Sequence, residues 1–486
     1  MIRKRDLYEN IAILAGAAFF AYTCMRAYNL SLSFDEAWTY LYHSCGSLKH
    51  IFSFEGPVGS NNHLLNTLAI KVLAHFFGNS EFVIRIPALA GHAIYLVSIF
   101  NILKMFLKGG RFAVGFLLAA SNPFLLDFFS CARGYSIGIG FTAAALYFLL
   151  KRIECRDTRK NTGYNAASVA MLTLAVLSNL SFLNVFIAVI AVMFFIEIKG
   201  IIRIMFPVVI AALFLMIVYP PSALKAIFQG VAEYGGTAGF WVDTVDSILR
   251  YYFYGKGYAN IDMIWFTDSV IFISFASAVI ILLFNYVNKK MAEPLNRYLL
   301  ALASILFLIA ACIKSQFFFL DIKYPTDRIA IYLVPLYIIF LLILWEYVNG
   351  GKNVVCRVLY KGVFCILIFA ALVHNMLCLN IGYFHQWRYD ASTKDAMGTI
   401  CKINMQTKEI PGRCRIGINH LFKPSVNYYI MRNRMTWLEP VKLDGLETAR
   451  EYYYLLRGRG EVPKRLVLKM IKTYEISNAI LAEPAK

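Results

Sequence analysis

Apolar runs recur along most of the chain and predict helices that cross a membrane. A helix needs about 20 mostly apolar residues to span the hydrocarbon core of a bilayer, and eleven runs approach or exceed that length. The pattern therefore predicts an all-α polytopic membrane protein with about eleven transmembrane helices. The predicted spans are 8–30, 82–107, 112–126, 135–150, 166–180, 183–198, 204–219, 269–287, 298–313, 329–347 and 363–380.

One further apolar segment, 64–77, is shorter and is interrupted by Asn66, Lys71 and His75. We assign it to an amphipathic helix at the membrane surface, and this assignment decides on which side each turn lies. With eleven spans, the turns rich in lysine and arginine all fall on one face, which the positive-inside rule makes cytoplasmic. The N-terminus is then inside and the C-terminus outside, in a membrane that we expect to be a bacterial inner membrane. The basic turns are 3–5, 104–111, 151–160, 199–203, 289–297 and 352–361.

Composition agrees with this architecture. The 486 residues are 59% hydrophobic and 16% charged, which leaves more apolar surface than a soluble globule of this size can bury. The formal net charge of +19 would suggest nucleic acid in a soluble protein, but cytoplasmic turns and anionic lipid headgroups explain it here. We therefore expect membrane lipids as partners and no nucleic acid.

The chain divides into a membrane domain, residues 1–380, and a soluble extracytoplasmic domain, residues 381–486. The membrane domain has two long outer loops, 31–81 and 220–268, and long ordered loops on a rigid scaffold usually carry function. From Gly382 onwards the chain has 18 Lys or Arg and 10 Asp or Glu, a net charge of +8 (18 − 10). The pattern there predicts a small α/β unit with strands at 415–418, 451–455 and 479–481 and a helix at 424–431.

Ten cysteines are scattered without the spacing of a zinc site. Cys401 and Cys414 both lie in the outer domain, where oxidation is allowed and a loop of this length is readily closed. The sequence leaves two alternatives open for them, a disulfide and two unpaired buried thiols.

The adjacent carboxylates of Asp35 and Glu36 stand a few residues after the first span, at the outer membrane boundary. Ionisable groups at such a boundary are costly unless they are paired or used. The plain alternative is a solvated loop charge, or an N-cap in which Asp35 begins a short amphipathic helix.

Further polar residues collect in the outer turns. His63 opens the surface segment, Arg85 stands at the mouth of the second span, and Asp127, Arg133 and Tyr135 lie in the turn between the third and fourth. An arginine fork suits a phosphate oxygen. Side chains that merely snorkel to the interface are the alternative. The turn before the tenth predicted span adds Lys314, Lys323, Tyr324, Asp327 and Arg328.

The order of these features resembles the GT-C glycosyltransferases, in particular the branch of the bacterial aminoarabinose transferase and the protein O-mannosyltransferases. Asp35-Glu36 follows the first span, Asn62-His63 opens a helix that ends in Phe77-Gly78, and two further motifs open the second and fourth spans. The likeness in motifs covers about the first 150 residues. The two further motifs are Arg85-Ile86-Pro87-Ala88-Leu89-Ala90-Gly91 and Ala132-Arg133-Gly134-Tyr135.

The resemblance implies transfer of a sugar from a polyprenyl-phosphate carrier to a glycan, lipid or protein acceptor on the outer face. Asp35 matches the acid of the first outer loop that such enzymes use, with Glu36 beside it. An inverting transfer needs a carboxylate to take the acceptor proton and cations to steady the departing phosphate. The candidates for the second role are Arg133, Tyr135, His63, Lys314, Arg328 and Arg85.

One feature departs from the relatives, which carry a second acid in the motif that opens the fourth span. Here Tyr135 is followed by Ser136, Ile137 and Gly138, and the nearest acid is Asp127 upstream. Asp127 is therefore a candidate second catalytic acid. A single-phosphate carrier leaves without a metal in principle, so no metal is predicted, although a divalent ion stays open as a cofactor.

A lipid-linked-sugar transporter or flippase and an envelope assembly protein are the competing interpretations. A transporter should place ionisable residues or broken helices near the midplane of two repeated halves. The sequence has no internal repeat, and its charges collect at one face. That asymmetry favours an enzyme.

Overall fold

The structure, a computed structural model, contains a helix at each of the eleven predicted spans. Six helices are long and apolar enough to cross a bilayer, and a seventh span is added if a pair bent by 60° counts as one. Several membrane spans are therefore present, while the number eleven and the sidedness stay predictions. The structure describes residues 6–54, 61–197, 200–220, 224, 235–349, 354–407, 414–442, 450–457 and 467–485, the side chains of 354–360 excepted.

Eighteen α-helices and four strands lie within the described residues. The helices are α1 Leu7–Asn29, α2 Phe34–Trp38, α3 Leu48–Ser53, α4 Leu64–Phe77, α5 Glu81–Phe106, α6 Gly110–Ala120, α7 Pro123–Phe129, α8 Gly134–Glu154, α9 Thr158–Ser178, α10 Leu183–Ile196, α11 Ile202–Val218, α12 Asp246–Tyr252, α13 Ile261–Val287, α14 Pro294–Leu320, α15 Leu333–Asn349, α16 Val354–Cys378, α17 Thr393–Thr407 and α18 Lys423–Arg432. The strands are β1 Ile416–Ile418, β2 Tyr452–Leu456, β3 Leu468–Tyr474 and β4 Ala479–Pro484.

The third predicted span breaks at Asn122. Its side-chain oxygen accepts a hydrogen bond of 3.1 Å from the amide of Leu125, and Pro123 occupies the first turn of α7. A proline has no N–H to continue α6 but fits the first turn of a new helix. The result is the 60° bend between α6 and α7.

Helices α5, α8 and α9 form the tightly packed centre of the membrane region. A Cβ on Gly140 would lie 2.4 Å from the carbonyl oxygen of Gly91, so both glycines allow the backbones of α5 and α8 to approach. At the periphery, α13 exposes large apolar side chains such as Phe272 and Phe284. Such an exposed apolar face belongs in lipid.

The C-terminal unit contains a four-stranded sheet of order β1-β2-β4-β3, in which β1 and β2 are parallel and the other pairs antiparallel. The predicted helix and the three predicted strands are confirmed as α18, β1, β2 and β4. Strand β3 and helix α17 were not predicted.

The disulfide considered between Cys401 and Cys414 is not formed, because both side chains are free thiols. Cys401 lies on α17, whereas Cys414 pairs through its backbone with Leu438 and is buried in the core of the unit. The two cysteines therefore belong to separate elements, and the second alternative describes Cys414.

Candidate active site

A cavity of about 520 Å³ lies where the first outer loop, the start of α8, the turn between α9 and α10 and the segment after α14 meet. Five of the predicted site residues line it, namely Asp35, His63, Arg133, Tyr135 and Arg328. They come from four separate parts of the chain, so the fold brings together what the sequence keeps apart. The remaining lining residues are Phe34, Trp38, Asn61, Asn62, Asn179, Leu180, Ser181, Leu183, Asn184, Ile187, Tyr219, Gln316, Leu320, Ile322, Lys323, Pro325, Thr326, Asp327 and Ile329.

Asp35 lies in the first turn of α2. Ser33 is the N-cap residue of this helix. Its amide donates a hydrogen bond of 2.9 Å to the Glu36 carboxylate in a capping box. The alternative in which Asp35 is the N-cap is therefore wrong. Because Ser33 and Glu36 cap the helix, the Asp35 side chain is left to face the cavity.

Two guanidinium groups hold the Asp35 carboxylate. Arg328 donates from Nη2 to Oδ2 at 3.2 Å, and Nη2 of Arg133 lies 3.8 Å from the same oxygen. Arg133 is 1% exposed, and it is oriented by hydrogen bonds to Thr39 Oγ1 (2.8 Å) and Asn61 Oδ1 (2.9 Å). The Arg328 side chain is 22% exposed and is therefore the more accessible of the two partners.

His63 supports Arg133 from behind. Its Nε2 lies 2.9 Å from Nη2 of Arg133, and a guanidinium can only donate, so this nitrogen accepts the hydrogen bond. Burial, followed by the charges of Arg133 and Arg328, holds the pKa of His63 well below its usual value. His63 is therefore neutral, which argues against the predicted role as a cation for the donor phosphate.

The turn that opens α8 needs its glycine. A Cβ on Gly134 would meet the carbonyl oxygen of Ser178 at 1.8 Å and the His63 ring at 2.8 Å. This close approach places Arg133 at the start of α8. It also sets the Tyr135 ring edge-on to His63, with 5.1 Å between the ring centres.

Comparison with known proteins identifies the fold. The family described as dolichyl-phosphate-mannose-protein mannosyltransferase matches residues 64–223. The crystal structure of ArnT from Cupriavidus metallidurans in the apo state superposes with a TM-score of 0.52 at 11% identity, over 97% of each chain. The chain has the GT-C fold.

Two further likenesses are weaker. ArnT from Cupriavidus metallidurans bound to undecaprenyl phosphate aligns at 11% identity over 97% of each chain with a TM-score of 0.48. The Archaeoglobus fulgidus oligosaccharyltransferase, in complex with Zn and sulfate, aligns at 11% identity over 87% of this chain and 61% of its own, with a TM-score of 0.46. No curated protein sequence matches significantly.

In this GT-C chain Glu36 and Arg85 form a buried ion pair with each other. Arg85 donates to the two Glu36 oxygens at 2.7 Å each, and both side chains are fully buried. The remaining Arg85 N–H groups donate to the carbonyls of Ala27, Leu30 and Ser31 at the end of α1. Burial raises the pKa of Glu36, but the neighbouring Arg85 lowers it by a larger amount. The pKa of Glu36 therefore lies below its ordinary value. The predictions of a catalytic Glu36 and a phosphate-binding Arg85 are therefore corrected, since this pair fixes the first outer loop.

Asp127 also lies outside the cavity lining. Its Oδ1 accepts from Arg26 Nη2 at 2.5 Å and from the Tyr254 hydroxyl at 2.7 Å, and its Oδ2 accepts from the amide of His385 at 2.8 Å. These bonds tie α1, α7 and the start of the C-terminal unit together. A carboxylate so fully engaged is structural, which corrects the prediction of a second catalytic acid.

Lys314 does not reach the site either. Helix α14 continues to Leu320, so Lys314 lies on an exposed face of this helix instead of in a turn. The cation that the same region does supply to the cavity is Lys323. The prediction for Lys314 is corrected accordingly.

Asp327 is an acid of the cavity that was not among the predicted site residues. It lines the cavity next to Arg328, and burial raises its pKa to about 6 although Arg328 and Ser247 lower it. The sequence does contain a signal for it, because Asp327 stands in the same turn as Lys323 and Arg328. Among the described residues no group of three or more His, Cys, Asp or Glu side chains is arranged to hold a metal ion.

Proposed function

We propose that this GT-C chain is a membrane glycosyltransferase that moves a sugar from a polyprenyl-phosphate carrier to a glycan, lipid or protein acceptor. The observation that carries the proposal is the Asp35 carboxylate, held between Arg328 and Arg133 inside a cavity. The description of the matching family, which names a dolichyl-phosphate sugar donor, supports this class of donor.

The charges of the cavity suit a donor phosphate. Arg133, Arg328 and Lys323 supply three cations, whereas Asp35 and Asp327 are the carboxylic acids of the described lining. Since His63 is neutral, the surplus is positive even when both acids are ionised. A phosphodiester anion entering the cavity finds guanidinium groups whose geometry matches its oxygens.

The apolar side of the cavity suits the lipid chain of such a donor. Leu183, Ile187 and Leu320 line this side. Ile187 is 42% exposed and Leu320 is 65% exposed, at the edge between α10 and α14. A polyprenyl chain extending past these side chains remains in a hydrocarbon environment while its phosphate reaches the arginines.

The proposed chemistry uses Asp35 as the general base. A donor phosphate competes with the Asp35 carboxylate for Arg328 and so frees an oxygen of this carboxylate to accept a proton. The carboxylate then takes the proton of the acceptor as the acceptor oxygen bonds to the anomeric carbon from the opposite face. The bond to the phosphate oxygen breaks with inversion, and the phosphate leaves with its electron pair towards Arg133, Arg328 and Lys323.

The location follows from the charge distribution of the sequence. We propose that the protein resides in a bacterial inner membrane with the N-terminus in the cytoplasm. The cavity and the C-terminal unit then face the extracytoplasmic side, where lipid-linked sugars and envelope acceptors meet.

The test is a transfer assay with purified protein in proteoliposomes, a polyprenyl-phosphate sugar and an extract of envelope acceptors. We expect Asp35→Asn to lower kcat by about 100- to 10,000-fold, the range of a lost general base. Asp321→Asn is the matched control, because Asp321 is an exposed acid of the same outer segment outside the cavity lining. Its left-handed backbone (φ 52°) also suits asparagine.

Unchanged transfer in Asp35→Asn would refute the catalytic assignment. Movement of the lipid-linked sugar across the bilayer without transfer to an acceptor would instead favour a transporter. An equal loss in Asp321→Asn would mean that the assay reports protein quality and not the site.

A further inference from the structure

The backbone next to Asp35 is held by side chains of the C-terminal unit. The amide of Phe34 donates to Oδ2 of Asp390 at 2.7 Å, and the amide of Leu32 donates to the Tyr429 hydroxyl at 2.9 Å. The first N–H groups of a helix have no partner inside it, so the Phe34 amide needs an external acceptor. That acceptor is more than 350 residues away in sequence.

Asp390 is an unusual acceptor for the Phe34 amide, because its carboxyl group is buried. It is 1% exposed, and its other oxygen accepts from Ser425 at 2.7 Å and from Thr393 at 3.1 Å. Within the described part of the chain it forms no ion pair, and burial raises its pKa to about 7. A buried carboxyl group without a cation is costly to ionise. Its three hydrogen bonds join the first turn of α2 to two elements of the C-terminal unit.

The same segment contacts the partner of Asp35. The Trp387 ring lies under the guanidinium of Arg328, with 5.5 Å between Cζ and the ring centre. Residues 387 and 390 belong to one short turn, Trp387 capping the 3₁₀ helix Arg388–Ser392. One turn thus contacts both the helix that carries Asp35 and the arginine that pairs with it.

Apolar packing joins the two units at this place. Leu32, Ala37 and Tyr40 of the first outer loop belong to the same buried cluster as Phe422 and Val426 of the C-terminal unit. Helix α18 packs directly on α2. The hydrogen bonds that Asp390 and Tyr429 accept therefore fix a loop that already packs against the C-terminal unit.

We propose that Asp390 and Tyr429 are positioning residues through which the C-terminal unit holds Asp35 in its catalytic orientation. The inference rests on the proposed function of Asp35. The unit is then part of the active site although, of its described residues, none lines the cavity. Loss of the two hydrogen bonds lets α2 shift at its first turn and moves the carboxylate away from the reacting atoms.

Steady-state kinetics of four variants test the proposal. A shift of about 1 Å in a catalytic group costs about 100-fold in rate, so we expect this loss in kcat for Asp390→Ala. Asp390→Asn keeps an acceptor for the Phe34 amide and should restore most of kcat. Tyr429→Phe removes, at constant shape, the hydrogen bond from the Leu32 amide and the one that the hydroxyl donates to Oε1 of Glu81 at 3.2 Å. It should lower kcat by up to about 10-fold. The donor KM should change little, because the phosphate-binding cations stay in place.

Tyr428→Phe is the matched control. This neighbouring tyrosine belongs to the same helix and the same interface, but its hydroxyl donates to the carbonyl oxygen of Asn79 at 2.7 Å, close to the start of α5 and not beside α2. We expect Tyr428→Phe to keep the kcat of the wild type. Equal losses in Tyr428→Phe and Tyr429→Phe would overturn the proposal, because the effect would then be general to the interface.

Hydrogen–deuterium exchange gives a readout that does not depend on activity. Asp390→Ala and Tyr429→Phe should speed amide exchange in residues 31–38 of the full-length protein, whereas Tyr428→Phe should not. Unchanged exchange would overturn the positioning role, and so would faster exchange with unchanged kcat. Full transfer by Asp35→Asn would instead refute the catalytic role of Asp35 on which this inference rests, whatever the exchange result.

Discussion

Replacing Glu36 by glutamine separates the two adjacent acids of the first outer loop. Glu36 receives two hydrogen bonds of 2.7 Å from Arg85 and one of 2.6 Å from the amide of Ala132, in surroundings without solvent. Asp35 faces the cavity. We therefore expect Glu36→Gln to act on stability and Asp35→Asn to act on turnover.

The magnitude follows from the burial of the pair. Both side chains of the Glu36–Arg85 ion pair are 0% exposed, and removing one partner of a buried pair costs about 3–5 kcal/mol because the other charge stays behind. For a chain of 486 residues, with an unfolding entropy of about 2.1 cal/mol/K per residue, the Tm should fall by about 3–5 °C. In Asp35→Asn the partner Arg328 is 22% exposed and solvated from the cavity, so a loss of about 1 kcal/mol is expected.

The pH dependence gives a second signature. Since the pKa of Glu36 is lowered below its ordinary value of 4.5, its contribution to stability is fully present above that pH. It is lost as the pH falls through the lowered pKa of the folded state. The Tm difference between wild type and Glu36→Gln should therefore be constant from pH 6 to 8 and should shrink on acidification below about pH 4.5.

The assay is thermal unfolding of the purified protein in detergent, with sugar transfer measured on the same samples at 25 °C. Stable Glu36→Gln protein without turnover would refute the reasoning, because Glu36 would then act in catalysis. A fall in Tm for Asp35→Asn as large as that for Glu36→Gln would refute the assignment of different roles to the two carboxylates.

Three further outcomes are expected. The carboxyl group of Asp327, whose pKa is about 6, adds negative charge to the cavity between pH 5 and 7, so the donor KM should rise over this range in wild type and stay constant in Asp327→Asn. Gly134→Ala should lose folded yield and at least about 1–3 kcal/mol of stability by unfolding assays, because its Cβ would lie 1.8 Å from the Ser178 carbonyl oxygen. The folded-state pKa of Asp390, about 7, exceeds the ordinary 3.8, so wild type should lose stability as pH rises from 4 to 7, by up to about 4 kcal/mol. The Tm of Asp390→Asn should fall by less over the same range, because Asp327 still ionises in this variant.

The apolar pattern predicted where helices lie but not where each one ends. The ninth predicted span ends at residue 313, because Lys314, Ser315 and Gln316 are polar. In the structure α14 continues to Leu320, since Gln316 faces the cavity and donates to Asn184 at 2.7 Å. A polar residue that faces a cavity resembles a turn signal in the sequence, which explains why Lys314 was placed at the site.

The sequence predicted which types of residue form the site, but it identified only some of the individual residues. Asp35 and Glu36 are neighbours in sequence, but successive side chains of a helix point about 100° apart. Which of them faces the cavity depends on Arg85 and Ser33, and thus on contacts that no local pattern contains. Arg133 and Arg328 were found because each stands in an outer turn beside other polar residues.

The missing second acid of the fourth span has a steric explanation in this chain. The hydroxyl of Ser136 donates to the carbonyl oxygen of Ala88 on α5, and a Cβ on Gly138 would lie 2.5 Å from the Phe182 ring on another side of α8. Both positions are therefore packed against neighbouring elements, which leaves little space for a carboxylate. Asp127 is bound to Arg26 and cannot take its place. The second carboxyl group among the described lining residues is Asp327, which enters from the turn before α15 and is half protonated near pH 6. In the proposed mechanism the donor phosphate competes with Asp35 for Arg133 and Arg328, and the proposed base depends on this exchange of partners.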